Sequence, residues 1–588
     1  MKILPYALPV AAALLIVAFY SALPALKSCA LPRPSRRHSR RMARLDWLLL
    51  DLLTLLYAFA AIWNLGNTAS PESFVQMEGR EAVLTLDEAQ NLVGLQLFCG
   101  VSTGTYEIEV SGDGESFTPL TSFEQNYVAV LKWNSVSLAD APQPLRAVRL
   151  RCVSGSPFLG ELALRGEENA LLPLRSDIPA LCDEQAAVPL VSSYRNSTYF
   201  DEIYHARTAW EHLHGVWPYE ISHPPLGKEI LSLGILLFGM NPFGWRIMGT
   251  LFGVAMLPVM YLLLKRLFGG TGVPALGASL LATDFMHFTQ TRIATIDSYG
   301  VFFILLMFYF LLLWTEEERP WQLALCGLSF GLGAASKWIC LYAGLGLAVL
   351  WLLHWIERIA EEPRGALRRL PGHIALCLLV FVLVPGLIYY LSYLPYGAAL
   401  GQKPFTAAYT KTVWDNQGFM LRYHAGIVAE HPYSSRWYQW LLDIRPILYY
   451  LEYLPGSRRE SICAFLNPLL CWAGLLSLFV LGYLAFFRHD QRARFLLIGY
   501  LAQLLPWVFI SRLTFAYHYF AASMFLVLAL GYVFALLREN RSRWLWLCAP
   551  FAAASAVLFV MYYPVLSAAP YSDSYSAAFL RWLPTWPI

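Results

Sequence analysis

Charge is scarce in this sequence. Of 588 residues only 14% are Asp, Glu, Lys or Arg, while 57% are hydrophobic; a soluble domain carries about 25% charged residues. An aqueous core cannot absorb that much apolar sequence. Apolar runs of about 17–25 residues recur through most of the chain, so lipid is the solvent for most of it. The formal net charge is only +3 and its positive residues lie in short loops, which gives no basic surface for nucleic acid. Metal-ligand spacing is also missing: there is no CxxC or CxxxC pair and no HExxH, so no metal site is indicated and a divalent metal stays unassigned. Of the ten cysteines, Cys326, Cys340, Cys377, Cys471 and Cys548 fall in apolar runs and read as small buried hydrophobes. Cys99 and Cys152 occupy strand-like segments, and a bond between them is left open.

What is present is a succession of spans. Residues 4–26 and 45–65 form a hairpin, and further runs lie near 244–264, 272–290, 298–314, 321–336, 338–355, 373–394, 467–487, 494–511, 517–537 and 543–563. The expected fold is a mainly α polytopic membrane protein with about twelve transmembrane helices. Between the first two spans lies the densest positive loop, with Arg33, Arg36, Arg37, Arg40, Arg41 and Arg44, which the positive-inside rule puts in the cytoplasm. Alternation then places Lys265 and Arg266, the 316–319 turn, and the 357–369, 488–494 and 538–543 loops on the same side. The other side receives residues 66–243, the turns near 292–297 and 337, the 395–466 loop, residues 511–516 and the tail.

Residues 70–166 change character. Apolar and polar residues alternate at period two, as in Tyr106-Glu107-Ile108-Glu109-Val110, and Ser111-Gly112-Asp113-Gly114 turns the chain. This predicts an extracytoplasmic all-β domain over 66–170 with one buried and one wet face. The run YEIEVSGDGESFTPL, the later VRLRC and the closing FLGELALRG resemble the discoidin or galactose-binding-like jelly roll. That resemblance implies a carbohydrate ligand, with a spacer or subunit-contact role as the open alternative.

A linker and outer loop follow over 171–243, with spans over 244–394, a second large outer loop over 395–466, and a four-helix region with an outer tail over 467–588. In the first outer loop Asp201-Glu202 precede an amphipathic stretch, and His223-Pro224-Pro225 precede Gly227-Lys228. Charged groups collected on one membrane face of so apolar a chain suggest a site. Asp201 before an amphipathic run also reads as a helix N-cap, Lys228 as a lysine snorkelling to headgroups, and His223 as a loop histidine bonded to backbone. Arg292 and Asp297 flank one outer turn and Lys337 caps another, so they reach the same face as Asp201; interfacial anchoring or ion pairing is their alternative. Arg512 and His518 at the outer end of a late span are candidates for a cationic clamp. Trp414, Arg436, Trp437, Tyr438 and Trp440 form an aromatic belt. The Asn196-Ser197-Thr198 sequon is a chance match.

YFDE, HPPLGK, FGWRIMGTLFG, QTRIATIDS, SKW, HPYSSRWYQWLLDIRPILYY and SRLTFAYHYF, in that order between Thr198 and Phe520, resemble the protein O-mannosyltransferase family. An extra N-terminal helix, the β domain ahead of the Asp-Glu pair, and a 395–466 loop too short for the lumenal module of eukaryotic members point to a bacterial branch. The resemblance implies a GT-C type bundle and an inverting transfer of mannose from a polyprenyl-phosphate carrier to Ser or Thr of secreted or membrane proteins, on the extracytoplasmic face of the cell membrane. A lipid or glycan acceptor is the rival, and a transporter or carbohydrate receptor a more distant one. The implied roles are Asp201 as catalytic base, Glu202 beside it as a positional acid of the catalytic segment paired to Arg246, and His223, with Lys228 as a weaker candidate, at the donor phosphate. A sugar on a lipid phosphate already has a good leaving group, so one base and a cationic clamp suffice.

Overall fold

The computed structural model describes residues 4–32, 41–426, 430–541 and 543–588. Arg33, Arg36, Arg37 and Arg40 of the basic loop lie outside the described residues. The chain divides into two compact units, a β unit (Asn64–Tyr219 with Ile230–Met248) and a helical unit (Met1–Trp63, Glu220–Glu229 and Gly249–Ile588).

In the β unit, two antiparallel sheets enclose one apolar core. One sheet carries strands Leu92–Cys99, Lys132–Ser137 and Phe158–Gly166; the other carries Glu81–Gln90, Gly104–Ser111, Thr118–Gln125 and Leu145–Gly155. The period-two pattern explains the sandwich. Tyr106, Ile108 and Val110 enter the core together with Val148 and Leu150 from the adjacent strand. The alternating acids stand on the outer face, where Glu107 pairs with Arg151 and Glu109 with Arg149 (Nε–Oε2 2.6 Å), each directly across the ladder. Cys99 and Cys152 belong to different sheets and are both free thiols, which closes the question of a bond between them.

One acid points inward. Glu161, on strand Phe158–Gly166, is fully buried and accepts hydrogen bonds from Gln185 Nε2 and the Glu184 amide. Burial, reinforced by the Glu184 and Asp183 carboxylates, outweighs those bonds and pushes Glu161 up to about 7. The unfolded chain ionises this group near pH 4.5, whereas the folded chain keeps it protonated until about pH 7. The folded state is therefore progressively disfavoured as pH rises between those values, by on the order of 3 kcal/mol once both states are ionised. Amide exchange of Phe158–Gly166, corrected for the intrinsic rate, is expected to lose protection between pH 5 and 8 in the natural protein and to stay flat in Glu161→Gln. Equal pH profiles would refute it.

In the helical unit, eight helices among the described residues are long and apolar enough to cross a membrane: Arg44–Ile62, Pro242–Phe268, Asp297–Glu317, Ile339–Glu361, Pro363–Ala399, Pro468–Phe487, Ala516–Asn540 and Leu545–Ser567. The expected count of about twelve is not reached by that measure. The other four expected spans are helical but shorter or more polar: Leu4–Ser21, Pro320–Ser336, Gln491–Val508 and the 272–290 segment. The last breaks into Gly272–Ala282 and Phe285–Arg292 because Asp284 caps the second piece, accepting from the His287 amide at 2.9 Å, and also takes the Asn467 amide at 3.0 Å.

The expected cytoplasmic loops gather at one end of this unit. Arg488 donates to the Leu26 carbonyl at 2.6 Å, Asn540 to Ala30 at 2.7 Å, and Arg538 to Phe268 at 2.8 Å, while Lys265 pairs with Asp46 at 2.6 Å. Helix Asp297–Glu317 leads from there to the other end, where the 395–466 loop folds into helix Ala407–Gly426, the short helix Trp437–Trp440 and a hairpin, Ile447–Leu454 with Arg458–Ala464, joined by strand Tyr571–Ser572 of the tail.

Candidate active site

In the β unit the Asp-Glu segment is tethered to the sandwich. The Thr198 amide and hydroxyl donate to the Leu131 and Val130 carbonyls at 3.0 and 2.8 Å, and the Trp133 amide donates to Ser197 Oγ at 3.1 Å. Two residues later Phe200 is held at φ +49°, in the left-handed region that a side chain of its size seldom occupies. The turn delivers Asp201 to the start of helix Glu202–Leu213, half-buried. Its carbonyl accepts from the Tyr204 amide, and its side chain makes no capping bond to the helix. The N-cap alternative therefore does not account for this carboxylate.

Glu202 is placed quite differently. It is fully buried and faces Arg246 in a two-pronged pair, Nε–Oε1 and Nη2–Oε2 both 2.7 Å, and it also accepts from the Tyr199 amide at 3.2 Å. Arg246 spends its remaining donors on the Leu65, Tyr194 and Ser197 carbonyls at 2.9, 2.7 and 3.0 Å. Both oxygens of Glu202 are thus engaged by charge-assisted bonds to Arg246, which fix the segment in place.

In the helical unit a second constellation surrounds the HPP turn. Glu220 receives His223 Nδ1 at 3.0 Å, and Lys228, fully buried, donates to the Glu220 carboxylate, to the Glu220 carbonyl at 2.9 Å and to the His223 carbonyl at 3.1 Å. Three donors meet three acceptors inside the protein. Lys228 thus neither snorkels nor reaches for a phosphate; it ties the turn shut. The same turn is pinned from helix Ala407–Gly426, since Asn416 Nδ2 donates to the Ile221 carbonyl at 3.0 Å and His424 Nε2 to Ser222 at 2.8 Å. The His223 and His424 rings meet edge to face at 5.2 Å. Burial, then the neighbouring His223 and Arg512 and finally Lys337, push His424 down to about 4, so it is neutral at pH 7.

Those electrostatic neighbours belong to one group: His223, Lys337 and Arg512 all act on His424. Lys337 Nζ bonds Asp297 Oδ1 at 2.5 Å and lies 5.8 Å from the Tyr517 ring centroid. His518 stacks on Tyr517 at 4.5 Å and packs against Trp507 at 4.4 Å and Trp440 at 6.0 Å. Arg292 is engaged at the end of the second helix of the chain. It donates to the Ala61 and Trp63 carbonyls, both at 2.9 Å, and lies over Phe288, so it caps the C-terminus of helix Arg44–Ile62. Glu220 and His424 were not singled out from sequence. Glu220, three residues before His223 in YEISHPP, had a local signal in that spacing, whereas His424 had none. Among the described residues one grouping of acids has metal-ligand spacing, Glu161, Asp183 and Glu184, with ligand atoms within 4.8 Å of one another, and it belongs to the sandwich.

Two family models match this chain. Residues 222–389 match "Dolichyl-phosphate-mannose-protein mannosyltransferase" and residues 409–586 match "C-terminal four TMM region of protein-O-mannosyltransferase", together more than half of the sequence. The chain belongs to the protein O-mannosyltransferase family. The curated polyprenol-phosphate-mannose–protein mannosyltransferase of Mycobacterium tuberculosis H37Rv is 27% identical over 458 residues, 66% of this chain and 86% of that protein. Its counterpart in Corynebacterium glutamicum is 25% identical over 340 residues, 49% of this chain and 65% of that one. A solved Saccharomyces cerevisiae protein O-mannosyltransferase complex, Pmt1–Pmt2 bound to the sugar donor, covers 67% of this chain and 90% of the compared yeast chain with a TM-score of 0.58 at 13% identity, a likeness of fold. This mannosyltransferase-family chain is therefore a mainly helical GT-C membrane protein carrying an N-terminal β unit. His223, Lys228, Arg246, Arg292, Asp297 and Lys337 lie within the first matched region and Arg512 and His518 within the second, while Asp201 and Glu202 precede both.

Proposed function

We propose that this protein transfers a mannosyl residue, with inversion, from a polyprenyl-phosphate carrier to Ser and Thr hydroxyls of secreted or membrane proteins on the extracytoplasmic face. The observation that carries the mechanism is the split between the adjacent acids: Glu202 is locked onto Arg246, whereas Asp201 stands half-buried on a strained, tethered turn. In the reaction the acceptor hydroxyl gives its proton to the Asp201 carboxylate and its oxygen bonds to the anomeric carbon. The bond from that carbon to the phosphate oxygen breaks, and the polyprenyl phosphate leaves with the electron pair. The departing phosphate requires positive charge, which Arg512 and Lys337 supply, while Glu220 and Lys228 hold His223 in place as a hydrogen-bonding contact. Asp297 orients Lys337, and His518 walls the group with its aromatic neighbours. The basic loops at one end of the helical unit support a cytoplasmic assignment for that end and an extracytoplasmic one for the HPP turn.

The test is transfer of labelled mannose from polyprenyl-phosphate-mannose to Ser/Thr-rich peptides by the purified enzyme. Transfer to lipid or glycan but never to peptide would favour the rival acceptor. Arg512→Ala is expected to raise the donor KM about 10- to 100-fold, the loss of one charge-assisted contact. An unchanged donor KM would remove Arg512 from the phosphate group.

A further inference from the structure

A chain of side-chain hydrogen bonds joins the two turns that carry Lys337 and His223. It leaves from Trp338, the residue after Lys337, whose indole N–H donates to the Tyr389 hydroxyl at 3.1 Å. The Tyr389 hydroxyl donates to Gln417 Oε1 at 2.8 Å, Gln417 Nε2 donates to the Tyr393 hydroxyl at 2.8 Å, and that hydroxyl donates to Asn416 Oδ1 at 2.7 Å. The last link runs from Asn416 Nδ2 to the carbonyl of Ile221, two residues before His223, at 3.0 Å. All of these residues belong to the helical unit. Tyr389 and Tyr393 stand at the end of the Pro363–Ala399 span that leads into the 395–466 loop, and Asn416 and Gln417 stand on helix Ala407–Gly426. Every donor in the series points the same way, from the Lys337 turn towards the HPP turn, so the bonds polarise one another in one sense.

Apolar packing does not account for this chain. Helix Ala407–Gly426 buries only Tyr409, Asn416 and Met420 of its 20 residues, so an amide takes one of its three buried places. Tyr393 is fully buried as well. Phe and Leu would fill those places without desolvating polar groups that then need partners. What a fully bonded polar chain adds over apolar packing is one fixed spacing between the groups at its ends. Those ends are the two turns between which the carrier phosphate sits in the reading given above. The same helix holds the HPP turn a second time, through His424 Nε2 and the Ser222 carbonyl at 2.8 Å. We propose that Tyr389, Tyr393, Asn416 and Gln417 are positioning residues for the donor: the chain they form sets the distance between Lys337 and His223 and with it the seat of the carrier phosphate. The proposal rests on the polyprenyl-phosphate donor reading, and it gives the 395–466 loop a part in donor recognition.

The experiment measures donor KM, peptide KM and inhibition by polyprenyl phosphate with the full-length enzyme, the last reporting recognition of the phosphate without the sugar. Trp338→Phe removes the first donor of the chain and Tyr393→Phe a middle link, and each keeps an aromatic ring. Each is expected to raise the donor KM and the inhibition constant about five- to ten-fold, the worth of one hydrogen bond, with the peptide KM unchanged. The double variant should be no worse than the more affected single one, because both break the same chain. Tyr409→Phe is the control: its hydroxyl bonds the Tyr390 carbonyl at 2.8 Å and ties the same helix to the same span, but it lies off the chain, so donor KM and inhibition should hold. Single variants with the natural donor KM, effects that multiply in the double variant, or an equal effect of Tyr409→Phe would each overturn the proposal while the transferase reading stands. If the natural enzyme takes no mannose from polyprenyl-phosphate-mannose, both fall.

Discussion

Asp201→Asn is expected to lower kcat for mannose transfer by about 10²- to 10⁴-fold while leaving membrane insertion and donor binding intact. General-base assistance contributes about 10² to 10⁴ in rate, and the asparagine keeps shape and size but cannot take a proton. The surrounding construction makes the variant interpretable. The Asp201 side chain makes no capping bond to helix Glu202–Leu213, so removing its charge takes nothing from that cap, and the turn is set by Thr198 and by Phe200 at φ +49°. The checks are turnover with saturating peptide, donor affinity, and thermal unfolding, the last separating a lost base from a lost fold. Near-normal turnover would place the base elsewhere.

Glu202→Gln should act through stability. Glu202 and Arg246 are both fully buried, and the amide would leave the guanidinium without its countercharge. Breaking a buried pair from one side costs about 3–5 kcal/mol, mainly because the remaining charge stays desolvated. Glu202→Leu with Arg246→Met should recover only part of that loss, since Arg246 also serves the Leu65, Tyr194 and Ser197 carbonyls. Thermal unfolding in detergent reads this. A loss below about 1 kcal/mol for Glu202→Gln would mean the pair is better solvated than its burial implies.

The difference between the two acids shows where sequence stops. YFDE marks both as neighbours, and only the family resemblance separated their expected roles; the residues alone do not, because the pairing of Glu202 depends on Arg246, 44 residues away. Lys228 looked like a snorkelling lysine from its place at a helix start, until Glu220 and the His223 carbonyl took all three of its protons. Arg292 reached the expected turn and was then claimed by the carbonyl end of a helix from the start of the chain. For Glu202 and Arg292 a partner distant in sequence sets the contacts and no local pattern encodes it, whereas for Lys228 the closure of the turn does so.

By itself the sequence determined the solvent, the class and the β insertion. Apolar run length and the rarity of charge are set by the cost of exposing backbone and ions to lipid, and period-two alternation is set by the pleat. Those forces act residue by residue, so they can be read residue by residue. Only the tertiary structure decided that 272–290 breaks at Asp284, that Cys99 and Cys152 stay apart, and that the β unit grips the Asp201 turn through Val130, Leu131 and Trp133. It also stacked Tyr204 against both Tyr127 and Tyr219. These features come from long-range packing and from the need of buried polar groups for partners, and that need is satisfied by whatever the fold brings near.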